Sequence, residues 1–164
     1  MTDIIRTAPF HHTPRAGESW WYLGCLVTSL AAASETGGQL SAVEAVIRKG
    51  VEPPPHLHNN EDEAYYITSG RFTFQVGESS VDAPEGTFVW LPRHVVHSWE
   101  VDRNGTTALI LTTPGGFLEA MFAPFTETAS VLELPPMPES PPWEEIMDLD
   151  LRLGVEYPEV PAAP

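Results

Sequence analysis

Two histidines separated by a single residue, His56 and His58, and a glutamate five positions further on, Glu63, lie in the stretch VEPPPHLHNNEDEAYYITSG, residues 51–70. Side chains alternate faces on extended backbone, so His56 and His58 point the same way and Leu57 points opposite. Two imidazoles so placed can grip one cation. Pro53, Pro54 and Pro55 fix φ and favour an extended approach, which lowers the entropy lost in presenting the pair. Glu63, Tyr65 and Ile67 share one face of the next run. Turned inward, that face adds a carboxylate and two apolar bodies that line a cavity. A third imidazole, His97, comes from GTFVWLPRHVVHSWEV, with Val95 and Trp99 on its own side and Val96, Ser98 and Glu100 on the other. Three neutral imidazoles and one carboxylate around a divalent cation leave about one unit of positive charge, able to hold an anionic or enolate-like oxygen. Such a nitrogen and oxygen set suits Mn, Fe, Co, Ni, Cu or Zn, and the donor types do not choose among them.

These residues need a β framework to bring them together. From about Trp20 to Thr113 the chain is a series of short apolar or alternating runs: SWWYLGCLVTSLAA, QLSAVEAVIRK, EAYYITSG, RFTFQVG, GTFVWLP, VVHSWEVD and TTALILTTP. Each has the length and the aromatic or β-branched content of a strand, and no long helix separates them. The pattern predicts an all-β sandwich or barrel, mostly antiparallel. Ser69-Gly70 and Asn104-Gly105 read as tight hairpin turns, because glycine accepts the positive φ that such turns require. After Pro114, GGFLEAMFAPF carries Phe117, Leu118, Met121 and Phe122 on one stripe of a short helix. A proline-rich connector then leads to a helix starting near Pro142, with Glu144 and Glu145 in its first turn and Gly154 at its end. Both helices are expected to cover the sheet, and the tail to be ordered only where it docks.

At 164 residues the chain suits one domain, and 42% hydrophobic residues supply a core without metals or disulfides. A bound metal is therefore expected to serve function rather than folding. With 8 basic against 23 acidic residues the net charge is −15, which repels a phosphate backbone, so nucleic acid is excluded as a partner. Cys25 has no second cysteine to pair with and reads as a small core residue. The start MTDIIRTAPF lacks the pattern of a secretory signal, and no run reaches the roughly 18 apolar residues of a membrane span. The expectation is a cytoplasmic protein with no membrane partner. His94, in a turn, His11 and His12 in the leading segment, and Arg71 all read as surface residues.

The spacing resembles the first cupin motif: glycine, five residues, His-x-His, three or four residues, glutamate, six residues, glycine, filled here by Gly50, His56, His58, Glu63 and Gly70. The second motif is met by Gly86, Pro92 and His97, with His94 in place of its inner glycine and Val101 in place of its asparagine. Taken whole, the chain is similar to single-domain cupins of the quercetin 2,3-dioxygenase-like group. The resemblance implies a double-stranded β-helix, a jelly-roll barrel with short C-terminal helices. It divides the chain into an N-terminal arm (1–18), the barrel (19–125) and a proline-rich connector with short helix and tail (126–164). It also implies one divalent metal at His56, His58, Glu63 and His97, with Tyr65, Ile67, Trp99 and Val95 around a small-molecule substrate. The activity expected is that of an oxygenase using O2 on an enolic or phenolic molecule, Glu63 serving as ligand and base. A metal-assisted isomerase or decarboxylase, and a non-catalytic sensing module, remain open beside it. A homodimer is expected, since open barrel edges are commonly covered by a partner strand.

Overall fold

The computed structural model describes residues 8–158; residues 1–7 of the arm and 159–164 of the tail lie outside the described residues. In chain order the strands are β1 (Trp20–Tyr22), β2 (Cys25–Ala31), β3 (Ser41–Ile47), β4 (Leu57–His58), β5 (Asp62–Ser69), β6 (Arg71–Val76), β7 (Ser79–Pro84), β8 (Phe88–Leu91), β9 (His97–Val101), β10 (Thr106–Thr113), β11 (Thr126–Thr128) and β12 (Val155–Glu156). The helices are α1 (Ala33–Thr36), α2 (Phe117–Phe122) and α3 (Trp143–Leu153). A seven-stranded sheet runs β11-β1-β2-β3-β10-β5-β8, a three-stranded sheet β7-β6-β9, and β12 pairs with β4. The fold is the all-β double-stranded β-helix expected, with short C-terminal helices. Among the described residues no helix is long and apolar enough to cross a membrane.

Alternation places the core between the sheets. Along β10, Thr106, Ala108, Ile110 and Thr112 are buried and the residues between them are not. In β6 the buried pair is Phe72 and Phe74, whose rings stack at 5.3 Å between centroids. Burying side chains of this size contributes roughly 1.5–3 kcal/mol each. Ile67, Leu91, Val101 and Leu118 belong to the same cluster. Cys25 is buried in it, and burial pushes its thiol up to about 11.

Both expected hairpins are instead crossings between sheets. Gly70 has φ +82, but β5 pairs with β10 and β8 while β6 pairs with β7 and β9. A Cβ on Gly70 would stand 2.6 Å from Thr106 Oγ1, so the glycine lets the chain turn a corner against β10. Gly105, also at φ +82, likewise sends the chain from β9 to β10 in the other sheet, with its N–H donating to Ile47 O. Positive φ marks a reversal; it does not say that the flanking strands pair. Two hairpins are found elsewhere. The single strand expected over SWWYLGCLVTSLAA is split by Leu23-Gly24, both at positive φ, into paired β1 and β2. The β6–β7 hairpin turns at Gly77, and β7 escaped the sequence reading because SSVDAP is polar and largely exposed.

Two elements of the segment after residue 125 join the sheets. β11 pairs with β1 at the edge of the large sheet, and β12 pairs Val155 with His58 and Glu156 with Leu57. The helix expected near Pro142 is α3, closed by Gly154 at φ +96.

Candidate metal centre and its cavity

Antiparallel pairing supplies the first two side chains. His56 and His97 face each other across an isolated bridge, each N–H donating to the other's carbonyl, at 3.0 and 2.8 Å. Their imidazoles meet edge to face, 4.5 Å between centroids and inclined by 65°. Two residues on, His58 in β4 points the same way, and Glu63 enters from β5. One donor atom from each of the four lies within 4.8 Å of the others, and all four residues are buried. Glu63 Oε2 is 3.6 Å from His97 Nε2 and 3.9 Å from His58 Nε2.

The ring nitrogens show what these groups are oriented to do. Each Nδ1 is engaged by an acceptor outside the cluster: Pro54 O at 3.0 Å for His56, Val95 O at 3.1 Å for His97, and Glu61 Oε1 for His58. Donation from Nδ1 leaves Nε2 as the lone-pair nitrogen. Nε2 of His58 and of His97 is buried without a hydrogen-bond partner. Orphaned buried nitrogens are costly, and a cation among them removes the cost. The donor set fits one divalent transition metal.

Charge in the cluster follows from the same contacts. Burial, then the neighbouring His97, lower His56 to about 4. Burial also opposes charge on His58, but the Glu61 hydrogen bond and the Glu63 charge outweigh it and raise its value. Burial pushes Glu63 upward, while the approach of His97 at 3.6 Å and the other surrounding imidazoles hold it below the usual carboxylate range. Glu63 is therefore a carboxylate. Its Oε2 faces the imidazoles, and its Oε1 accepts from the Tyr65 hydroxyl at 3.3 Å. Burial first, then the Glu63 charge, keep that phenol protonated.

Each residue between His58 and Glu63 has a separate task. Asn59 donates through Nδ2 to Glu156 Oε1 at 2.7 Å, and Asn60 to Leu153 O at 2.9 Å, so the loop docks the end of α3 and β12. Glu61 is buried against His58, which makes it the positioning residue that sequence reasoning missed among so many acidic residues. Asp62 pairs with Arg93 at 2.8 Å, tying β5 to the turn before β9. In that turn His94 takes φ +65 where the cupin pattern has glycine, and it is exposed as expected.

Above the cluster is a cavity of about 320 Å³. Tyr65 and Trp99 line it as expected, but Ile67 and Val95 do not. Ile67 is wholly buried in the core, and Val95 packs towards the Gly77 turn. The wall is otherwise supplied by aliphatic residues of β2, β3 and β10, by α2, and by Trp143, Ile146, Met147 and Asp150 of α3. No lysine or arginine lines it among the described residues. Asp150 and Tyr157 were not foreseen. The signal was available: residues 143, 146, 147 and 150 form an apolar helical stripe whose last position holds a carboxylate. His12 pairs with Glu35 and Arg71 with Asp82, both at the surface.

The family model described as the cupin domain matches residues 43–113, the stretch that carries all four clustered side chains. This stretch is similar to a cupin domain. A quercetin 2,3-dioxygenase of Bacillus subtilis is 28% identical over 99 residues, a match covering 60% of this chain and 28% of that protein, so this chain spans well under half the length of that curated relative. Among solved structures, KdgF from Halomonas superposes with a TM-score of 0.53 at 20% identity, over 59% of this chain and 88% of that one. The Streptomyces nucleoside dehydratase Pac13 superposes with a TM-score of 0.52 at 13% identity, over 80% of this chain and 99% of that one. At such identities the two structures speak for the cupin fold alone.

Proposed function

We propose that this cupin is a metal-dependent oxygenase acting on an enolic or phenolic small molecule. The observation that carries the reading is the cavity: apolar walls, no lysine or arginine among the described lining residues, and an imidazole–carboxylate cluster at one side. A phosphorylated or multiply charged substrate finds no fixed cation there, and desolvating its charge is expensive. An aromatic or conjugated molecule with one acidic hydroxyl matches the wall and the cluster together.

His56, His58, His97 and Glu63 would hold the ion, which when bound supplies a Lewis acid and, for Mn, Fe, Co, Ni or Cu, a redox centre for O2. The residues of the chain divide the remaining work. Glu63, held as a carboxylate, accepts the acidic hydroxyl proton of the entering molecule. Tyr65 donates to Oε1 and fixes the orientation of that carboxylate. Trp99 on one wall and Phe117 with Met121 on another enclose the ring system and exclude water. The assembly we infer is a homodimer, supported by the open edge strand β8, where Phe88 and Trp90 are exposed next to Tyr66 of β5.

Oxygen uptake with flavonols and related enols, after reconstitution with Mn, Fe, Co, Ni and Cu in turn, tests the reading. Uptake with at least one metal, abolished by Glu63→Gln, is the expected result. Absence of uptake with every metal overturns it, and turnover under strict anaerobiosis assigns the site to an isomerase or decarboxylase instead.

A further inference from the structure

One carboxyl of the cavity has no part in the metal cluster. Asp150 is only 6% exposed, yet it occupies the fourth position of the apolar stripe of α3, after Trp143, Ile146 and Met147. Its Oδ2 accepts a hydrogen bond from the Tyr157 hydroxyl, whereas its Oδ1 is buried without any partner. No lysine or arginine of the cavity offsets it. A leucine at this position would suit the helix and its packing better, since a buried carboxylate oxygen left unmatched is destabilising. Tyr157 lies just beyond β12 and its ring is 6.0 Å from that of His56, so the pair stands beside the metal cluster, on the C-terminal cover.

We propose that Asp150, oriented by Tyr157, is a ligand-binding residue whose Oδ1 accepts a hydrogen bond from a second hydroxyl of the bound molecule. The inference rests on the proposed function for the class of molecule, and it adds to that reading. The ligand is recognised at two points, an acidic oxygen at the imidazole–carboxylate cluster and a neutral hydroxyl at Asp150, with the apolar scaffold between. The carboxylate selects for a donor: replacing that hydroxyl by an ether removes the hydrogen bond and sets oxygen lone pairs against a buried anion.

The probes are quercetin and its mono-O-methyl ethers that retain the 3-hydroxyl, titrated by calorimetry into the zinc-loaded protein, which binds without redox turnover. At least one ether should bind roughly 10- to 100-fold more weakly than quercetin to the wild-type protein, the value of one hydrogen bond to a charged group. In Asp150→Asn that difference should collapse or reverse, because the amide can donate to an ether oxygen. In Tyr157→Phe, which leaves Asp150 unoriented, it should shrink. If Asp150→Asn does not fold by circular dichroism, Tyr157→Phe decides alone. Ethers that all bind within threefold of quercetin overturn the proposal, as does discrimination that persists unchanged in the variants. Oxygen uptake without discrimination sinks this inference and leaves the oxygenase reading standing; discrimination without uptake does the reverse. If no flavonol binds at all, this inference falls, while the oxygenase reading still stands or falls by oxygen uptake with the related enols.

Discussion

Glu61→Gln isolates the contribution of a residue that touches none of the four clustered donor atoms of the candidate metal site. In the wild-type protein the Glu61 carboxylate is 4% exposed and accepts from Nδ1 of His58, itself 2% exposed. The carboxylate does two things: it fixes the ring so that Nε2 faces Glu63, and it adds electron density that makes Nε2 a better donor. Glutamine keeps the shape and an acceptor oxygen but removes the charge. A hydrogen bond to a charged group contributes about 1.5–3 kcal/mol, and loss of such outer partners costs about 10–100-fold in metal affinity, or about 1.4–2.7 kcal/mol. The two routes agree, so Glu61→Gln should weaken binding by about one to two decades. Glu61→Ala should do worse, since it leaves Nδ1–H unpaired and frees the ring. Competition against a chelator at fixed pH measures the affinity. The metal-free protein gives a second readout, because the value of His58, raised in the wild type, should fall in Glu61→Gln when followed by NMR. Wild-type affinity in both variants would refute the account of His58 and, with it, the claim that the Nδ1 contacts prepare the site.

Metal-free stability should peak near pH 6.5. His56, depressed to about 4, contributes stability that is present above pH ~6.5 and lost by about 3 kcal/mol as pH falls to 4, partly offset by the raised Asp150, while His58, raised, contributes stability lost as pH climbs above 6.5 through its folded value. Urea unfolding across pH 4–8.5 checks this, and a curve rising monotonically through 6.5 contradicts it. Gly154→Ala forces a Cβ to 2.3 Å from Asn60 Nδ2 at φ +96, which should cost about 1–3 kcal/mol, lower Tm by several degrees and weaken ligand binding through loss of the α3 wall; an unchanged Tm would show that the Asn60 contact is dispensable. His58→Ala should remove bound metal while far-UV circular dichroism stays that of a β protein; collapse of the fold would make the cluster structural. Sedimentation should show a dimer that Trp90→Glu shifts towards monomer, and a wild-type monomer would rule out the β8 edge as its interface.

What the sequence revealed and what it concealed divide along a physical line. Period-two alternation is local, so the inward parity of Glu63 and Tyr65 on β5, and of Phe72 and Phe74 on β6, could be read directly. Parity decides the face but not the depth along it: Ile67 shares the face of Glu63 and ends in the core, beyond the cavity. Pairing is non-local. The bridge between His56 and His97 joins residues far apart in the chain, and only the matched motif spacings, not any periodicity, suggested that they meet. Gly70 and Gly105 were visible as reversals, yet whether a reversal closes a hairpin or crosses to the facing sheet depends on which partner each strand finds.

The polar residues of the site that went unseen are all carboxylates or their partners, in a chain with 23 acidic residues. Composition hides a functional carboxylate among solvated ones, and only a clash with its local pattern gives it away. Glu61 has no such clash, because a polar loop residue followed by a strand looks ordinary whether or not it turns inward. Asp150 does, since it breaks an apolar helical stripe whose other members face the cavity. Packing α3 over the barrel makes that break costly, and the docking contacts of Asn59 and Asn60 hold the cost in place. A helix kept against a cavity with an unmatched carboxylate facing into it is stable only if the remaining core tolerates the penalty. The stacked aromatic cluster on β6 gives it that margin. The same margin is why substitutions at Asp150 should change what is bound before they change whether the protein folds.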